Sequence, residues 1–131
     1  MTDKKYIPAG PVMKCIYIAG PMNGVSEFNF PAFHRAANHY RSMGWTVFSP
    51  AENDIEKNGY DPSVLQPDGD GAALTNTAGF DRRAALADDL NWIALNADAI
   101  HMLPGWEKSG GAFAEWALAK TLELKFYYGE I

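Results

Sequence analysis

The segment SGGAFAEWALA, residues 109–119, places a single carboxylate, Glu115, within the first two turns of a predicted helix. Two interpretations of Glu115 are open: a solvated helix glutamate, or a carboxylate that its apolar neighbours partly desolvate, which would raise its pKa. Gly110 and Gly111 lie one turn earlier and carry no side chain that would block access to it. Ser109 is a good N-cap, and the N–H groups of a helix start also attract an anion. The segment therefore indicates either an ordinary capped helix or a carboxylate site beside an anion-binding helix start.

A second candidate is the segment IAGPMNG, residues 18–24, which follows the first predicted strand. Gly20 and Pro21, together with Met22, form a loop that lets the backbone approach a ligand closely. An ordinary strand-to-helix turn is the alternative interpretation. The segment matches neither the G-x-G-x-x-G pattern nor a P-loop, so dinucleotide and ATP binding lose support and no cofactor is expected.

A third candidate is the segment DDLNWI, residues 88–93. On a helix Asp88 and Asp89 point about 100° apart, so at most one of them faces a crevice directly. Asp89 is the better placed to reach the end of the sheet, together with Trp92 further along the helix. A surface aspartate is the alternative interpretation.

The elements that position these residues follow from the alternation of apolar and turn-forming segments. Strands are predicted at residues 14–20, 45–50, 98–104 and 125–130, and helices within 26–44 and at 81–97 and 110–124. The alternation predicts an α/β fold: a single Rossmann-like (flavodoxin-like) three-layer domain with a mostly parallel sheet of about 4–5 strands. Ligands bind outside the carboxyl ends of such strands. One crevice is therefore expected, surrounded by residues 20–24, 49–52 and 104–111.

The remaining segments complete the expected organisation of the chain. Residues 1–13 are predicted to be an N-terminal tail, and residues 14–131 to form the domain. Residues 50–80 are rich in glycine, aspartate, asparagine and proline and are expected to be a long loop. A loop of that length in a compact domain is usually functional or disordered.

Bulk composition limits the classes of function. The chain has 131 residues, 47% of them apolar, and a formal charge of −5, which argues against a long nucleic-acid groove but permits a small anionic ligand. Cys15 is the one cysteine, and a buried small hydrophobe is favoured over a nucleophile. The composition fits a reducing, cytoplasmic setting. No apolar stretch reaches the ~18 residues of a membrane span, so no membrane partner is expected.

Other ionisable residues carry little information. The three histidines do not have the spacing of metal ligands, and no metal is expected. Arg82 and Arg83 follow the expected long loop. They either meet a phosphate at the crevice or form solvated surface.

The three candidate segments, in this order and at this spacing, resemble the nucleoside 2-deoxyribosyltransferase superfamily. This superfamily includes the transferases and the related nucleoside 5′-monophosphate N-glycosidases. The chain is more narrowly similar to a short phage and bacterial branch whose function is largely unassigned. The resemblance covers residues 14–128 in element order and is carried by IYIAGPM, DLNWIALNADAI and SGGAFAEWALA.

The resemblance implies cleavage of the N-glycosidic bond of a (deoxy)nucleoside or its 5′-monophosphate, by hydrolysis or by base transfer. It implies that Glu115 is the nucleophile and that Asp89 contacts the base and assists its protonation. At the position of Ser109, transferases of free nucleosides tend to carry aspartate, whereas the monophosphate glycosidases tend to carry serine. The loop at 20–24 lacks the Ser/Arg pair of the animal monophosphate glycosidase, so the choice between the two substrate classes stays open.

The resemblance also implies a homodimer or a higher homo-oligomer. Five aromatic residues furnish either such an interface or the core: Trp92, Trp116, Phe126, Tyr127 and Tyr128. Two other classes of function are alternatives to an enzyme. One is a module that binds or senses a nucleotide without turnover, and the other is an interaction protein with a degenerate pocket.

Overall fold

The computed structural model describes residues 14–131, and the predicted tail at residues 1–13 lies outside the described residues. Four strands form one sheet: β1 (Cys15–Ala19), β2 (Thr46–Phe48), β3 (Ala99–Met102) and β4 (Lys125–Tyr128). Their order is β2-β1-β3-β4, and every neighbouring pair is parallel. This arrangement confirms the predicted Rossmann-like, flavodoxin-like fold.

Helices cover both faces of the sheet. The six helices are α1 (Phe30–Ser42), α2 (Pro50–Asn58), α3 (Pro62–Leu65), α4 (Gly71–Ala78), α5 (Arg82–Asn96) and α6 (Gly110–Thr121). Alternate residues of β1 point to opposite faces. Ile16 and Ile18 pack in the cluster that includes α1, whereas Tyr17 and Ala19 pack in the cluster that includes α5 and α6. The three predicted layers are therefore present, and β1 is buried in the sheet, between the two helical layers.

The expectation of a long loop at residues 50–80 is wrong, because this region contains α2, α3 and α4. Its polar and turn-forming residues delimit helices. Asp61 and Asp70 cap α3 and α4 with their side chains, accepting hydrogen bonds from Ser63 N and Ala73 N. Gly59 and Gly79 end α2 and α4 in the left-handed conformation that glycine favours.

The segment between α3 and α4 is joined to the loop that follows β1. Gly24 N donates to Gly69 O (2.8 Å), and Gly71 N donates to Asn23 Oδ1 (2.9 Å). Gly69 has φ +76°, and a Cβ atom there would lie 1.9 Å from Val25 O, so only glycine fits. These contacts hold the helical region 50–80 beside the carboxyl ends of the strands. Within residues 14–131, no helix has the length and apolar character needed to cross a membrane.

Candidate active site

A cavity of about 280 Å³ lies beyond the carboxyl end of β1. This volume is at the lower end of the range for small-molecule sites. Its walls come from the loop after β1 and from α2, α4, α5 and α6. The position matches the crevice expected for a parallel sheet.

Three carboxylates from three different helices reach this cavity. Asp54 of α2 and Asp89 of α5 are each 7% exposed, and Glu115 of α6 is 5% exposed. Buried acidic side chains are rare in proteins unless they are paired with a cation or well hydrogen-bonded. The concentration of three at one cavity therefore requires an explanation other than stability.

Glu115 is held by a hydrogen bond from the central strand. The hydroxyl of Tyr17, which is fully buried on β1, donates to Glu115 Oε2 over 2.7 Å. Burial first, and then the neighbouring charge of Asp89, raise the pKa of Glu115 well above its ordinary value. The hydrogen bond from Tyr17 partly opposes this rise because it stabilises the ionised form.

Asp89 and Asp54 also hold protons more tightly than ordinary aspartates. Burial, followed by the charge of Asp54, raises the pKa of Asp89 to about 8. Burial, followed by the charge of Asp88, raises the pKa of Asp54 to about 7. Asp89 Oδ1 is buried and has no hydrogen-bond partner. Near neutral pH the carboxylates of the cavity therefore share protons rather than ionise independently.

The start of α6 forms one side of the cavity. Ser109 Oγ accepts a hydrogen bond from Ala112 N over 3.3 Å, which confirms its predicted role as an N-cap. A Cβ atom at Gly110 would meet nothing within 4 Å, and one at Gly111 would meet only Leu86 Cδ1, at 4.0 Å. Both glycines thus leave open space at the helix start, where the first amides have no acceptor within the helix.

The structure brings most of the predicted site residues together. The residues of the three candidate segments that line the cavity are Gly20, Met22, Asp89, Ser109, Gly110, Gly111 and Glu115. Arg82, at the first position of α5, lines it too. Arg83 is exposed and does not contribute to the lining.

Pro21 and Trp92 do not line the cavity, in contrast to the sequence prediction. The Pro21 ring lies near Gly105, where a Cβ atom would be 3.3 Å from Pro21 Cγ. Trp92 stacks on Phe48 of β2 with ring centroids 5.1 Å apart and also packs against Tyr17. The reason is helical geometry, because the turn of α5 after Asp89 directs Trp92 at the sheet rather than beyond its end.

Sequence reasoning missed two residues of the cavity region, Tyr17 and Asp54. Tyr17 is the one hydroxyl-bearing residue of an otherwise apolar central strand, a pattern that offers a weak signal. Asp54 lies in the segment interpreted as a loop. Assigning a helix to residues 50–58 would have placed Ala51 and Asp54 on one face, since they are three residues apart.

Four of the five aromatic residues expected at an interface or in the core pack against the core. Trp92, Trp116 and Phe126 pack against the core on the α5–α6 face, Tyr127 packs against the opposite cluster, and Tyr128 is exposed. An oligomer interface stays a prediction.

Cys15 is half-buried, and burial followed by the charge of Asp98 raises the pKa of its thiol. Across residues 14–131, no group of three or more histidine, cysteine, aspartate or glutamate side chains is arranged to hold a metal ion.

A family match covers the whole of this architecture. The family described as "Domain of unknown function (DUF4406)" matches residues 14–128. The chain belongs to this family. The DUF4406 match includes all four strands, all six helices and every cavity residue named above. A comparison with curated proteins gives no match.

Proposed function

We propose that this DUF4406 protein cleaves the N-glycosidic bond of a nucleoside or nucleoside 5′-monophosphate, by hydrolysis or base transfer, with Glu115 as the nucleophile. The observation that carries the proposal is the buried carboxylate of Glu115, oriented by Tyr17 at the wall of a cavity that Asp89 also lines. The resemblance to the nucleoside 2-deoxyribosyltransferase superfamily assigns the same two acids to the same roles.

Glu115 suits a reaction in which positive charge develops at carbon. As the base departs, the anomeric carbon becomes oxocarbenium-like, and a carboxylate below the ring stabilises it or bonds to it. Burial makes the ionised form of Glu115 costly in the protein alone. The developing positive charge offsets that cost in the transition state, so the carboxylate interacts more strongly there than in the ground state.

Asp89 suits the second role, that of the acid. Its raised pKa of about 8 keeps a proton available near neutral pH, where an ordinary aspartate has none. The proton passes to the base while Glu115 bonds to the sugar. Water or a second base then attacks the anomeric carbon and releases Glu115, and this choice decides between hydrolysis and transfer.

The start of α6 suits the 5′ end of the substrate. Ser109 offers a hydroxyl, the amides of Gly110 and Gly111 offer donors, and Arg82 offers a positive charge at the same cavity. A phosphate dianion matches this set better than a neutral 5′-hydroxyl. A 5′-monophosphate is therefore the favoured substrate.

The proposal is tested by incubating the protein with a panel of nucleosides and 5′-monophosphates and measuring released base by chromatography. Wild-type protein is expected to release base, and Glu115→Gln to lose at least about a thousandfold in rate. Glu56→Gln, which changes an exposed glutamate of α2, is the matched control and should keep full activity.

Two results would overturn the proposal. Full activity of Glu115→Gln on the hydrolysed substrates would remove the nucleophile. Thermal stabilisation of wild-type protein by a panel member, without any release of base, would favour a binding module instead.

A further inference from the structure

Asp54 is a buried acid in the cavity that the proposed two-acid chemistry does not use. It lies on α2, which packs against both α1 and α5, and Pro50 and Ala51, one turn earlier on the same face, are also buried. Asn58 Nδ2 donates to the backbone carbonyl of Asp54 (2.7 Å) and not to its carboxyl group. Within the described residues, the position of Asp54 is thus not explained by capping or by an ion pair.

Unpartnered polar atoms surround α2. Among residues 14–131, three buried side-chain oxygens have no hydrogen-bond partner: Ser49 Oγ, Tyr60 Oη and Asp89 Oδ1. Ser49 precedes α2, Tyr60 follows it, and Asp89 faces it from α5. Buried polar atoms in native proteins are nearly always satisfied, so an orphaned carboxylate oxygen at a cavity points to a ligand that supplies the missing partner.

We propose that Asp54 is a second base-recognition residue, which acts with Asp89 to select nucleobases in which a basic ring nitrogen adjoins an exocyclic amine, as in cytosine and adenine. The inference rests on the proposed function, because it concerns the base that leaves when Glu115 attacks the sugar. Asp54 and Asp89 both line the cavity and lie close enough for the charge of Asp54 to raise the pKa of Asp89. Two carboxyl groups are thus available to such an edge, one for the ring nitrogen and one for the amine.

The charge of the pair suits this edge. With their pKa values raised to about 7 and about 8, Asp54 and Asp89 together hold roughly one proton near neutral pH. That proton passes to the basic ring nitrogen. The pair of electrons of the glycosidic bond goes to the base, which leaves as a neutral tautomer, and Glu115 forms the new bond to the anomeric carbon. In hydrolysis, water supplies the sugar hydroxyl and returns one proton to the pair.

Four other titratable groups lie close enough to Asp54 or Asp89 to interact with them electrostatically. They are Asp88 on α5, Glu115 on α6, Tyr17 on β1 and Tyr60 after α2. The two tyrosines are neutral near pH 7 because the pKa of each is raised above its ordinary value. The carboxyl groups therefore supply the negative field that favours a positively charged base, and Arg82, which lines the same cavity, opposes it. Uracil and thymine lack a basic ring nitrogen and develop negative charge as they leave, which the same acids oppose.

The test compares kcat/KM for matched substrates that differ only in the base, cytosine against uracil and adenine against hypoxanthine. Wild-type protein is expected to prefer the amino-substituted base, and Asp54→Asn to reduce that preference at least about tenfold. Asparagine keeps the size of the side chain and removes a buried ionisable group, so the variant is expected to fold. Glu56→Gln also removes one negative charge from α2, but on its exposed side and outside the cavity lining, and it should leave the preference unchanged.

Three results would overturn the inference alone, and a fourth would overturn the proposed function together with it. An unchanged preference in Asp54→Asn, or an equal loss of rate on every base, would remove base selection by Asp54. An equal shift in Glu56→Gln would reduce the effect to a general change of charge. Wild-type protein that releases base from none of the substrates would overturn the proposed function, and the inference with it.

Discussion

Two buried polar clusters lie on opposite faces of the same sheet, and they are built differently. On the α1 face, Tyr40 Oη lies 2.7 Å from His101 Nδ1, and His101 Nε2 lies 2.7 Å from Gly129 O. On the α5–α6 face, Tyr17 donates to Glu115, and Asp89 Oδ1 has no partner. The first cluster is closed, whereas the second borders a cavity.

The closed cluster fixes its own protonation state. A carbonyl oxygen only accepts, so His101 Nε2 carries a hydrogen and donates to Gly129 O. Tyr40 then donates to His101 Nδ1, and the imidazole is neutral. Burial lowers the pKa of His101 in agreement with this state. Satisfied polar groups of this kind stabilise a fold, whereas buried carboxylates that lack partners destabilise it and indicate a functional site.

The largest effect on stability is expected from breaking the closed cluster. His101→Ala leaves a void and two polar groups without partners, and it should lower the free energy of unfolding by about 2–4 kcal/mol. The loss is measured by thermal or urea unfolding at pH 7.5. The wild-type advantage should narrow below about pH 6, because the unfolded histidine binds a proton that the folded one does not.

The exposed histidine of α1 provides the control for this experiment. His39→Ala should change the stability by less than about 0.5 kcal/mol. A His101→Ala variant as stable as the wild type would show that the closed cluster contributes nothing to the fold.

In the cluster that borders the cavity, removing an ionisable group should instead increase the stability of the fold. Glu115→Gln is expected to raise the melting temperature at pH 8 by roughly 5 °C, because the amide is buried without the cost of ionisation. The pKa of Glu115 is raised in the folded state, so folded wild-type protein binds a proton that the unfolded chain lacks. Wild-type stability therefore falls as the pH rises from about 4 towards the folded pKa.

Melting curves between pH 4 and pH 8 check this prediction. The melting temperatures of the variant and the wild type should converge as the pH approaches 4. A constant difference across that range would mean that Glu115 is not held with a raised pKa.

The smallest effect is expected from a change at Ser109, the N-cap of α6 that lines the cavity. Ser109→Asp retains a good N-cap but adds a negative charge where a phosphate is proposed to bind. It should lower kcat/KM for a 5′-monophosphate about tenfold more than for the matching nucleoside. Ser109→Asn, a neutral cap of the same shape, is the control. Equal losses on both substrates in Ser109→Asp would remove the phosphate from this position.

The layered fold could be predicted from the sequence because its signals are local. All four strands fall inside the predicted segments, and α5 and α6 begin within one residue of the predicted starts. The region 50–80 could not be predicted in the same way. Its helices are short, and the segment is rich in glycine, aspartate, asparagine and proline, so composition alone suggested a loop.

The candidate site could be predicted only in part, for a related reason. Glu115 and Asp89 stand in recognisable segments, whereas Asp54 becomes part of the cavity only because α2 folds back against α5. Trp92 shows the reverse error. Its position one turn after Asp89 suggested a shared crevice, but contact with Phe48 buries it against the sheet. Spacing along a helix fixes the direction of a side chain, and tertiary contacts decide what that direction meets.

The hydrogen bond between Tyr17 and Glu115 joins residues 98 positions apart. A contact of such long sequence separation costs more chain entropy to form than a local contact, since the chain between the partners must close into a loop. Tyr17 lies on β1 and Glu115 on α6. The chain between them contains β2, β3 and the five helices α1 to α5. The cavity is consequently a property of the nearly complete chain, because its carboxyl groups come from α2, α5 and α6 and only β4 follows α6.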